Sequence, residues 1–139
     1  MRTMLAIVCV LLQAGCATPA PGNGAGASAL VLSVDRGQYR AGDAMVLTLR
    51  NGLPHGVGYN LCGAGPERRV GGEWREVQQR LAEVCTMELR TLAPGASDTF
   101  RHTVPAGLSA GEYRVRSAVE SPLGGSWVGV ASAAFTITS

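Results

Sequence analysis

At 139 residues, 46% of them hydrophobic and with a formal net charge of +2, the chain has room for one domain of ordinary size and a short tail. All twelve cationic side chains are arginine, and ten carboxylates are interspersed among them. This mixture excludes the clustered cationic face that nucleic acid requires, and it excludes the sparse, highly charged composition of a disordered chain.

Arg2 precedes an uncharged apolar run over residues 4–12. A charged start, a core of about 7 to 15 apolar residues and then small residues form the layout of a secretory signal, whereas a membrane span needs about 20. Ala14 and Gly15 lead to Cys16, and residues 18–28 read TPAPGNGAGAS. That composition cannot repay the entropy of ordering and predicts a flexible linker.

The approach to Cys16 resembles the bacterial lipobox, in which a cysteine follows an aliphatic residue and two small ones. Gln13 stands where that family carries an apolar residue, with Leu12 one place earlier. Conventional cleavage after Ala14 or Ala17 is the other reading of the same residues. The lipobox resemblance implies that the Cys16 thiol takes diacylglycerol, that a peptidase cuts before it, and that the new amino terminus takes a further chain such as palmitate. Each buried methylene contributes about 0.8 kcal/mol, so two or three chains hold a protein on a membrane for good. Ala17, in place of the aspartate that retains enteric lipoproteins at the inner membrane, implies the outer membrane with the domain facing the periplasm. The expected organisation is a signal peptide at 1–15, a lipidated cysteine and linker at 16–28, and a domain at 29–139.

From residue 29 the texture changes to short alternating runs. LVLSVD places Leu30, Leu32 and Val34 on one face, and MVLTLRN does the same with Met45, Leu47 and Leu49. Period-two alternation is the mark of a half-buried strand. RGQYRAGD between them reads as a turn or crossing segment. Further strands are predicted over residues 56–62, 73–77, 87–92, 98–104, 112–119 and 127–138, the last of them interrupted. Residues 78–84, with Val77, Leu81 and Val84 at helical spacing, predict one short helical turn. Seven to eight short strands divided by Gly and Pro predict an all-β antiparallel sandwich.

Pro94 and Gly95 form a turn signal, and Leu108, Gly111 and Tyr113 lead into the strand that follows. The order Y-x-x-G-D, L-x-N, a central Trp and Cys, L-x-P-G and G-x-Y-x-V resembles a bacterial immunoglobulin-like domain family of secreted and lipid-anchored proteins. The resemblance implies that the Tyr113 hydroxyl bonds back to the preceding corner. The cysteine that antibody domains carry two residues after this tyrosine is replaced by Val115.

Cys9 leaves with the signal and Cys16 is taken by lipid, so Cys62 and Cys85 remain in the exported domain. An even remainder in an oxidising compartment predicts a disulfide. Closing a loop of about 24 residues contributes about 3 to 3.5 kcal/mol in the chain-entropy description. The spacing is not the CxxC of a redox or zinc pair. His55 and His102 lack neighbouring metal ligands in sequence, and Ser33, Ser97, Ser109 and Ser117 lack a G-x-S-x-G elbow. No enzyme activity, cofactor or metal is therefore expected. The glycine-rich segment 63–74 is the candidate binding loop, with Glu67, Arg68, Arg69 and Trp74, because Arg and Trp are frequent interface anchors. Trp74 also alternates with Glu73 and Arg75, a pattern that favours a place in the core.

These residues imply a non-enzymatic lipoprotein held on the membrane by its anchor, with a protein partner in the cell envelope. A second reading is a protease inhibitor: small β-sandwich inhibitors, including the intracellular proteinase inhibitors of bacilli, share the L-x-P-G turn and the G-x-Y-x-V strand. In that reading residues 63–72 form the rigid exposed loop.

Overall fold

Alternating Leu, Val and Thr residues build two facing sheets in the computed structural model, which describes residues 29–81 and 84–139. The expected signal, Cys16 and the expected linker lie outside the described residues. In chain order the strands are β1 (Leu30–Val34), β2 (Gln38–Arg40), β3 (Ala44–Asn51), β4 (Val57–Tyr59), β5 (Gly65–Val70) and β6 (Glu73–Glu76). They continue with β7 (Arg90–Leu92), β8 (Ser97–Thr103), β9 (Gly111–Ser121), β10 (Ser126–Ala131) and β11 (Phe135–Thr138). The smaller sheet has the order β1-β3-β8, all antiparallel. The larger sheet holds the other eight strands.

The spine of the larger sheet is β9. One of its edges carries β11 beside residues 111–113 and β10 beside 116–121. Its other edge carries β5 beside 113–116 and β4 beside 119–120. Outside these lie β6 on β5, β7 on β4, and β2 running parallel to β11. The chain is thus an all-β, immunoglobulin-like sandwich. Among the described residues no helix is long and apolar enough to cross a membrane.

The core is the set of inward positions that alternation marks out. Met45, Leu47 and Leu49 of β3 face Tyr113, Val115 and Val119 of β9, all buried. Tyr39 meets Phe135 edge-on at 5.3 Å, and Phe135 stacks on Tyr113 at 6.3 Å. The Tyr113 hydroxyl donates to the Ser109 carbonyl at 2.7 Å, closing the corner expected of immunoglobulin-like domains. Val115, at the antibody cysteine position, is fully buried in hydrocarbon instead.

Several expected boundaries shift, each for a local reason. The crossing segment contains β2, which leaves the smaller sheet to pair with β11. Residues 56–62 split into β4 and a 3-10 turn, Leu61–Gly63, where the Asn60 side chain accepts from the Cys62 N–H at 3.0 Å. This turn lies ahead of the predicted helical position. Residues 78–81 and 84 carry no helical turn, and 82–83 lie outside the described residues. The interruption in 127–138 falls at Ser132, whose hydroxyl replaces a backbone acceptor for the Val115 N–H at 3.0 Å.

Asn51 ends β3 fully buried, and every polar atom of its amide is used. Its Nδ2 donates to the carbonyls of His55, Leu92 and Ala93 at 2.8, 3.1 and 3.2 Å. Its Oδ1 accepts from Leu53 N–H at 3.0 Å. Its backbone bonds both ways across the Pro94–Gly95 turn, donating to Ala96 and accepting from Gly95. Substituting Asn51→Ala strands the buried Leu92 carbonyl and removes the part-buried bonds to His55 and Ala93, so urea unfolding should show a loss of about 2 to 4 kcal/mol, against about 1 kcal/mol for Tyr113→Phe.

Candidate functional site

Strand parity decides which side chains share the outer face of the larger sheet. On β9 the inward residues are Tyr113, Val115, Ser117 and Val119, so Arg114, Arg116, Ala118 and Glu120 point outward. Register places Glu67 opposite Arg114 and Gly65 opposite Arg116 on β5, then Glu76 opposite Glu67 and Trp74 opposite Arg69 on β6. On the other side Trp127 stands opposite Glu120, and Gly129 opposite Ala118.

Charge is concentrated at one end of this face. The Glu67 carboxylate is buried, 2.5 Å from Arg114 Nε and 3.6 Å from Arg116 Nη1. A buried carboxylate needs such partners, since taking one from water without them costs several kcal/mol. The Trp74 ring lies between two guanidinium groups, 4.6 Å from Arg114 and 5.8 Å from Arg69. Arg69 in turn reaches Glu112 at 3.3 Å.

Toward the other end the face becomes apolar. Trp127 is 59% exposed and Met87 96%. A cleft of about 390 Å³ is lined by Glu67, Glu76, Arg116, Ala118, Trp127 and Gly129. A neighbouring hollow places Trp127 and Met87 beside Cys62 and Cys85. The two cysteine sulfurs are at bonding distance and their Cα atoms 5.5 Å apart, within the range a disulfide requires. The bridge ties the 3-10 turn to the segment preceding β7.

The predicted binding loop is therefore a β-hairpin. Residues 65–70 are laddered to β6 on one edge and β9 on the other, and the reversal is made by Gly71 and Gly72 at φ 60° and 87°. Glu67, Arg69 and Trp74 come together on the outer face. Arg68 does not: it takes the opposite parity, lies 5.9 Å over the Tyr113 ring, and donates from Nη2 to the Ala110 carbonyl at 2.9 Å. Trp74 is half-buried between arginines and outside the core, which Tyr39, Tyr113 and Phe135 fill instead. Arg114, Arg116, Glu76 and Trp127 belong to the face although the sequence did not single them out. The alternation in EYRVRSAV carried the signal for the two arginines.

The two histidines lie apart in different surroundings. His55 Nε2 is 3.1 Å from Ser121 Oγ. His102 is 2% exposed, tilted against Phe100, with Nε2 3.0 Å from the Leu61 carbonyl. Among the described residues no three His, Cys, Asp or Glu side chains converge as metal ligands. The outer face thus holds planar cations, carboxylates and two indoles on one sheet. No protein-family model matches the chain, and no curated protein is significantly similar to it. Fold and face together define an immunoglobulin-like β-sandwich with a charged and aromatic sheet face.

Burial holds His102 below the ordinary histidine range, against the opposing pull of the Leu61 and Leu81 carbonyls. The unfolded chain thus binds a proton more readily than the folded one. The His102 contribution is complete above about pH 6.5 and is lost as pH falls from there toward its folded value. Urea midpoints should fall between pH 7 and pH 5, and the fall should be shallower in His102→Gln, which keeps a donor for Leu61 and does not titrate.

Proposed function

We propose that this chain is a cell-envelope lipoprotein, tethered through Cys16 and carrying one immunoglobulin-like domain that binds a protein partner without catalysis. The observation that carries the binding role is the outer face of the larger sheet. Trp74, clasped by Arg69 and Arg114, and Trp127, on the wall of the cleft, present rigid aromatic and arginine anchors, the residue types that dominate protein interfaces. Fixing arginines by carboxylates and ring faces before binding reduces the side-chain entropy lost on association. The anchoring role rests on the lipobox-like residues. A linker over residues 17–28 would reach roughly 40 Å when extended, enough to lift the sheet face clear of lipid headgroups. With Ala17 after the cysteine, the favoured location is the outer membrane, facing the periplasm.

The inhibitor reading called for a free rigid loop at residues 63–72. Those residues form β5 and its turn, with both strand edges engaged, and no other observation favours that reading.

Labelled palmitate fed to cells producing the full chain should enter the protein and should not enter a Cys16→Ser variant. Equal labelling of the two, or none in either, overturns the anchor. Photo-crosslinking from position 74 in the anchored protein should capture a partner that a Trp127→Ala variant captures less well. Undiminished capture overturns the assignment of the face.

A further inference from the structure

Among the described residues, β10 pairs only with β9, and its other edge has no partner strand. Which of its backbone groups are free follows from one bond. Ser132 N–H donates to the Val115 carbonyl at 2.8 Å, and the register continues as Ala131 with Arg116, Val130 with Ser117, and so on to Ser126 with Ser121. Hydrogen-bonded and non-hydrogen-bonded pairs alternate along an antiparallel ladder. Val130, Val128 and Ser126 therefore turn their N–H and C=O groups toward β9, while Trp127, Gly129 and Ala131 present theirs to the open edge.

Natural sheets protect such an edge with charge, proline or brevity. The edge strand β6 carries Glu73, Arg75 and Glu76, and β8 carries Asp98 and Arg101. By contrast β10 is SWVGVA, six residues without a charge or a proline, with Trp127 and the 39%-exposed Val128 in water. Next to it on the same flank lies β1, LVLSV, equally uncharged.

We propose that the open edge of β10 is a homodimer interface, in which two copies pair β10 to β10 antiparallel about a two-fold axis at Gly129. This register sets Gly129 against Gly129 of the second copy and Trp127 against Ala131, so all three free residues of each strand are bonded. A large ring faces a small side chain at both ends, and the strand has no side chain of its own at the centre, where the end of Arg116 lies over Gly129 and can swing aside. The strand itself is uncharged, and the cation beside the axis, Arg116, is paired with Glu67 at 3.6 Å. An isologous contact of this kind closes on itself and leaves no open end for fibre growth. The result is a larger sheet continuous across both subunits. This inference is independent of the anchor, and it shares Trp127 with the partner-binding face.

The test is a cysteine at the axis. Facing residues of a hydrogen-bonded pair have Cα atoms about 5.5 Å apart, a spacing that suits a disulfide. In the full-length chain, Gly129→Cys should give a crosslinked dimer on mild oxidation, and Gly72→Cys at the hairpin tip should not. A Cβ at 129 meets only the end of the flexible Arg116 side chain, which can swing aside. Native mass spectrometry of the unmodified chain from mild detergent should show a doubled mass, and Trp127→Lys, which charges the edge, should show a single one with unchanged circular dichroism. A single mass for the unmodified chain overturns the proposal. So does equal crosslinking at 72 and 129, or a monomer whose β10 is occupied by a strand from another protein.

Discussion

The side-chain amide of Asn51 is the constraint on which much of this sandwich depends. It sits where three pieces of chain meet: the end of β3, the loop leading to β4, and the turn between β7 and β8. The carbonyl of Leu92 is buried away from water, so an internal donor must satisfy it. An asparagine can serve several carbonyls and one N–H at once, whereas an aspartate would repel the carbonyls and a leucine would leave all of them unpaired. Because the same residue also bonds Gly95 and Ala96 through its backbone, it fixes where β8 starts. That start sets the register of β8 on β3, and with it the placing of the smaller sheet over β9. At the opposite end the Tyr113 corner performs the equivalent task for the β8–β9 connection.

Two further hydroxyls brace the periphery by the same physics. The Tyr59 hydroxyl donates across the sandwich to Asp98 of β8, and Tyr39 donates to Asp35, which also accepts from the Val46 N–H. Burial, reinforced by the neighbouring carboxylate, pushes both tyrosines up to about 12. They stay protonated donors at any pH the protein meets. For Asp35, burial acts upward, but the Val46 and Tyr39 hydrogen bonds outweigh it and hold the carboxyl below its usual range.

Elements whose burial follows a simple period were legible from residues alone. Met45, Leu47 and Leu49 could only be one face of a strand, while the tyrosine corner came from the resemblance of G-x-Y-x-V to immunoglobulin-like domains. The β5 strand was not legible, because GPERRV opens on Gly-Pro and then shows charge at three consecutive positions. Proline is unexpected in a strand engaged on both sides, yet Pro66 is buried opposite Val115 and its carbonyl accepts from Val77 N–H. The charge run is explained by partners far along the chain: Glu67 by Arg114 and Arg116, Arg69 by Glu112, Arg68 by Ala110. No local pattern reports a partner more than forty residues away. Trp74 misled for a related reason. Alternation tells which residues share a face but not which face is wet, and the inner face was already filled by Tyr39, Tyr113 and Phe135.

The distribution of charge over the strands separates two kinds of surface. On the β5–β6–β9 face Arg69 is paired with Glu112, and Arg114 and Arg116 with Glu67, and exposed pairs such as the first add little to stability, about 0 to 1 kcal/mol each. Their effect is geometric: they hold Trp74 and the arginines in one arrangement on a stiff sheet. Glu67 is the exception, since burial makes it dependent on both Arg114 and Arg116, and Arg116 in turn lines the cleft. Around the edges the pattern reverses. The strands β6 and β8, where charges stand at the rim, are edges kept for solvent, while β10 and β1 share a flank with no charge at all. The larger sheet guards its β6 edge and the smaller its β8 edge with charge, whereas β10 carries none, and that contrast is what points association to the β10 edge.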